Sequence, residues 1–218
     1  MQLRIGLLWF MRMEGPTPGG LSPDEWVGVR VGFLANAYEL KLENCEKDLR
    51  GQEAWLSRFA EHDETILWFE HDLFCQINLI YLLDWFSKQS MGKTSLSLIC
   101  IGEFPGVGDF RGLGQLTGEQ LASLFDGRHD VTAPELRLAA RAWSAYCLPD
   151  PGEITGLLEE DTSAMPFLRH ALRLHLMRFP SVKNGLRSAF CDKIGVRSPS
   201  LLRVRCKSRH ESPIRSEQ

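Results

Sequence analysis

Glu70, His71 and Asp72 follow directly on the apolar run Thr65–Phe69, and they are the residues whose types best suit chemistry. Two carboxylates and an imidazole suffice for general acid–base work or for holding one divalent ion. Glu70 and Asp72 are two apart, so an extended backbone turns both to one side and His71 to the other. Polar residues also follow the other two apolar runs: Arg12 and Glu14 after Leu3–Phe10, and Glu103, Asp109 and Arg111 after Ser95–Ile101. Arg12 or Arg111 suits an anionic group. Gln76, one helical turn past Asp72, reaches the same region, either to bond a ligand or to anchor the loop. Structural uses exist for the same side chains: Asp72 as a helix cap, Glu70 as partner of an arginine, His71 as a satisfied polar residue at a strand end. Glu70, His71 and Asp72 are thus the catalytic candidates, and Arg12, Gln76, Glu103, Asp109 and Arg111 the ligand-binding candidates. No metal site and no cofactor is assigned.

Several other patterns fail on mechanism. GVGDFRGLG lacks the spacing of a dinucleotide fingerprint, although its backbone N–H groups are able to cradle a phosphate. MGKTS resembles the end of a phosphate loop, but Ser87 stands where the leading glycine belongs and the segment precedes a strand. It reads as a turn. Arg128–Asp130 (RHD) has no kinase context, and Asp130 fits a turn leading into a helix. His170 and His175 are five apart, off the spacing that puts two zinc ligands on one helical face. Trp26, Trp55, Trp68, Trp85 and Trp143 mostly fit apolar faces, without the interleaved basic residues of a base-stacking platform. The six cysteines are widely spaced and read as reduced packing thiols.

The candidate residues need strands to carry them. Leu3–Phe10, Thr65–Phe69 and Ser95–Ile101 are continuous apolar runs, the pattern of strands buried on both faces, and the intervals between them are long enough for helical crossovers. Neighbouring parallel strands follow, with ligands expected beyond their carboxyl ends. Ser22 and Glu25 form a capping box with Pro23 at the first helical position, opening a helix whose apolar face is Trp26, Val29, Phe33, Ala37 and Leu40. Further helices are predicted over 53–61, 74–86, 118–126, 133–147, 151–160 and 164–178. The fold class is therefore α/β, a Rossmann-like parallel sheet flanked by helices with a helical C-terminal half.

The chain has 218 residues, 44% apolar and 24% charged, which is globular in character. One domain over 1–186 is expected, strand-rich to 116 and helical from 117, with a loose basic tail over 187–218. Residues 195–218 carry six Lys/Arg against two Asp/Glu, a net of +4, which leaves −7 for residues 1–194. An acidic body disfavours nucleic acid, and the tail allows weak polyanion contact. No apolar run is long enough for a membrane span and Met1–Phe10 is too short for a secretory signal, so a cytoplasmic setting without a membrane partner is expected. The identity of any partner stays open.

Four ordered segments, LLWFMRMEGPTPGGLSPDEWVGVRVGFLA, ILWFEHDLFCQINLIYLLDWF, GLGQLTGEQLASLF and MPFLRHALRLHLMRFPSVKNGL, resemble the uncharacterised bacterial family known as domain of unknown function 1835. The most specific block is WFEHD-x-x-x-Q. The resemblance implies the fold and a cytoplasmic setting but no activity. It also implies a truncated start, where the family has a further strand and a Gly-Asp-Ser turn, and an altered end, where the family continues into a segment like a helix-turn-helix. Three readings of function follow: a small-molecule or phosphoester-binding domain using the strand-end residues, a regulatory or nucleic-acid-linked protein that has lost that C-terminal segment, and a truncated product without function.

Overall fold

Four strands pair in the order β1-β2-β3-β4 in the computed structural model, which describes residues 3–5 and 15–179. β1 (Leu3–Ile5) and β2 (Glu64–Glu70) are parallel, with Leu3 opposite Thr65. β2 and β3 (Ser95–Ile101) are parallel along their whole length, from Glu64 opposite Ser95 to Glu70 opposite Ile101. Leu3–Ile5 of the first run and the other two runs are therefore parallel neighbours, as the sequence predicts. Residues 6–10 of the first run, Arg12, Glu14 and the tail 187–218 lie outside the described residues.

Seven helices accompany this small sheet among the described residues, so the architecture is mixed α/β and mostly helical. They are α1 (Pro23–Ala37), α2 (Leu42–Leu56), α3 (Leu73–Ser87), α4 (Gly118–Ser123), α5 (Ala133–Tyr146), α6 (Gly152–Leu158) and α7 (Leu168–Leu176). The capping boxes Ser22/Glu25, Thr117/Gln120 and Thr132/Glu135 all form and fix the starts of α1, α4 and α5. None of the described helices is long and apolar enough to cross a membrane.

Three expectations need correction. The helix placed over 53–61 is the end of α2 followed by a 3-10 turn, Ser57–Glu61. Cys45, Leu49 and Leu56 anchor α2 from within a polar sequence, and three buried residues in fifteen leave only a thin apolar signal. In α1 the buried residues are Val27, Arg30, Val31, Leu34 and Ala35, a face rotated by one position from the one predicted, and Leu40 is exposed. The cause is Arg30, which donates to the Pro16 carbonyl at 3.1 Å and lies over the Trp26 and Phe33 rings, occupying the face assigned to the core. Asp130 belongs to β4 (His129–Asp130), which runs antiparallel to β3. Arg128 and Ser97, both bonded to Glu64 at 2.7 Å, hold this edge.

α3 is apolar around its whole circumference because it is buried on every side. Its residues Leu79, Ile80, Leu82, Leu83 and Phe86 join Leu67 and Phe69 of β2, Leu98 of β3 and side chains of α5, α6 and α7 in one core. Each such side chain contributes roughly 1.5–3 kcal/mol by leaving water. The strand-rich and helical halves thus share a single core. α1 and α2 form a smaller cluster, and Trp26 packs against both clusters.

Candidate functional site

Parallel pairing brings the polar ends of β2 and β3 side by side, with the N-terminus of α3 rising from the end of β2. Glu70 is buried on the last position of β2. Its Oε1 accepts from the Leu113 N–H at 2.8 Å, a bond that ties the loop after β3 down onto the strand end. That loop passes so close that a Cβ on Gly112 would lie 2.2 Å from Glu70 Oε2, so glycine is required there. Burial raises the proton affinity of Glu70, opposed by the Leu113 bond and reinforced by the charge of Asp72.

Asp72 takes the helix N-cap position, with Oδ1 accepting from the Cys75 N–H at 2.7 Å. Glu70, Asp72 and Cys75 thereby converge, one donor atom from each within 4.8 Å of the others. The Cys75 thiol is pushed far above its usual pKa by burial and by the charges of Asp72 and Glu70. Such a cluster resists further negative charge and favours a cation.

Gln76 proves to be an anchor. Its Nε2 donates to the Glu70 carbonyl at 2.8 Å and to Cys100 Sγ at 3.3 Å, joining α3 to the ends of β2 and β3. The His71 ring lies against Phe110 and Phe167, at 6.2 and 6.1 Å. Gly102 makes this packing possible, since a Cβ there would stand 2.7 Å from Phe167. His71 Nδ1 is buried with no hydrogen-bond partner among the described residues. Glu103 is exposed. Asp109 and Arg111 are exposed and pair with each other at 2.5 Å, and the Arg111 N–H donates to Gln115 Oε1. Arg111 is thus committed to a neighbour in its own loop, while the adjacent Gly112 touches Glu70. Arg12 lies outside the described residues.

Two features escaped the sequence reading. Cys75 stands among the packing thiols in that reading, although its spacing of three from Asp72 puts it on the same first turn of α3. The second is a cavity of about 490 Å³ at the other end of α3, between α1, α2, α3 and α5. Trp26, Trp85 and Trp143 line it, none of them fully buried, and Trp55 is exposed. Comparison of the chain with models of protein families, with curated proteins and with solved structures finds no match.

Proposed function

We propose that this chain is a small-molecule-binding α/β domain of Rossmann-like layout that takes its ligand at the carboxyl ends of β2 and β3. The layout is supported by three parallel neighbours with helices between them in the chain. The observation that carries the site is the convergence of Glu70, Asp72 and Cys75 within 4.8 Å. Two carboxylates and a thiolate are a donor set for zinc(II), which is usually four-coordinate, so an exogenous oxygen completes the shell. A phosphoester would then bind through the ion.

Calorimetric titration of the full chain with zinc(II), with and without phenyl phosphate, tests this. Zinc is expected to bind the parent protein and to bind Cys75→Ala and Glu70→Gln at least tenfold more weakly. Equal affinity in parent and variants overturns the proposal. A product without function predicts no ligand in the same titration. The kinship with domain of unknown function 1835 rests on the ordered motifs alone and is likewise proposed. The nucleic-acid-linked alternative rests on residues beyond Phe179, and no described residue favours it.

A further inference from the structure

Four helices bring aromatic rings and carboxylates to one cavity remote from the strand ends. Tyr81 and Trp85 come from α3, Trp26 from α1 and Trp143 from α5. The rings brace one another: Trp26 stacks on Tyr81 at 5.5 Å with planes 8° apart, and Tyr81 meets Trp143 edge to face at 5.1 Å. Interlocked rings of this kind give a stiff wall that needs little ordering on binding. The volume, about 490 Å³, falls in the range of small-molecule pockets.

Two acids open into the same space. Asp84 is 7% exposed, and Lys88, its partner at 2.6 Å, reaches outward with 67% of its side chain exposed. Glu53 is half-buried and accepts from the Tyr81 hydroxyl at 3.3 Å. With Lys88 counted, the lining carries a net charge of −1. Burial raises the proton affinity of Glu53, opposed by the bond from the Tyr81 hydroxyl and by the charge of Arg50.

We propose that this cavity binds a hydrophobic organic cation, an ammonium group carrying an aryl or alkyl body, with the cation toward Glu53 and Asp84 and the body against Trp26, Tyr81, Trp85 and Trp143. Charge attraction selects the cationic end, ring faces attract the ammonium, and the rings pack against the apolar body. An anion of the same size meets two carboxylates. The site is independent of the one at the strand ends: Tyr81 lies nine residues beyond Asp72 along α3, roughly 13 Å at helical rise.

Fluorescence and calorimetric titration of the full chain with benzyltrimethylammonium, neopentylbenzene and phenylacetate tests the proposal. Benzyltrimethylammonium is expected to bind at least tenfold more tightly than its uncharged carbon isostere, and phenylacetate least. Glu53→Gln should weaken the cation at least tenfold, while Glu70→Gln leaves it unchanged. Equal affinity for cation and isostere, no detectable binding of the cation, or full affinity in Glu53→Gln overturns the proposal. The isostere comparison is made in the unaltered protein, so the result stands even if a variant fails to fold.

Discussion

At the residue scale, one backbone N–H fixes each acid of the strand-end cluster: Leu113 holds Glu70 and Cys75 holds Asp72. A carboxylate held in this way is oriented before any ligand arrives, which lowers the cost of binding. A different residue makes stability respond to pH. His175 is buried against Tyr146 and Phe179, at 4.7 and 5.3 Å, and its Nδ1 has no hydrogen-bond partner among the described residues. Burial, and secondarily the charge of Arg178, depresses its pKa from 6.5 to about 4. Below pH 6.5 the unfolded chain takes up a proton that the folded chain refuses. Stability contributed by the neutral ring is therefore complete above pH 6.5 and is lost as pH falls toward about 4, below which the loss levels off. The total is about 3 kcal/mol. Urea denaturation between pH 8 and pH 4 should show this decline, and His175→Phe, which keeps a ring in the stack, should flatten it. An equally steep decline in the variant would remove His175 from the account of acid sensitivity.

At the element scale, α3 joins everything described above: its first turn forms the strand-end cluster, its middle fills the core, and its last turns line the cavity. The Asp72 cap matters to it accordingly. Asp72→Ala is expected to cost about 1 kcal/mol in urea denaturation relative to Asp72→Asn, which keeps a capping oxygen. Both variants remove the repulsion with Glu70, so the difference between them isolates the cap. Identical stability would show that the helix start is held by packing alone. The sequence makes this helix legible because Asp72 precedes a long, thickly apolar segment, and it makes β2 and β3 legible because their apolar runs are short and bounded by turn residues. α2 is harder to see because three anchors support fifteen residues. The burial face of α1 is misjudged because the long Arg30 side chain reaches the Pro16 carbonyl, a contact that hydrophobic periodicity does not register.

At the scale of the molecule, the order β1-β2-β3 places successive strands side by side, and a single core binds the strand-rich half to α5, α6 and α7. Glu70 ends β2 and Asp72 caps α3, so the meeting of these near neighbours in sequence follows from the short turn between strand and helix. The bond from Leu113 to Glu70 spans 43 residues and the cavity joins four helices, so both depend on how elements pack and leave no local pattern. Cobalt(II) reports most directly on whether Glu70, Asp72 and Cys75 act as one ligand set, because thiolate ligation adds a charge-transfer absorption that carboxylates do not supply. Under reducing, oxygen-free conditions the full chain should develop that band and saturate near about one metal per chain. The band should disappear in Cys75→Ala and return to the colourless state of the apoprotein when zinc(II) displaces the cobalt. An identical charge-transfer spectrum in Cys75→Ala, or a parent spectrum with no thiolate band, would contradict the strand-end site.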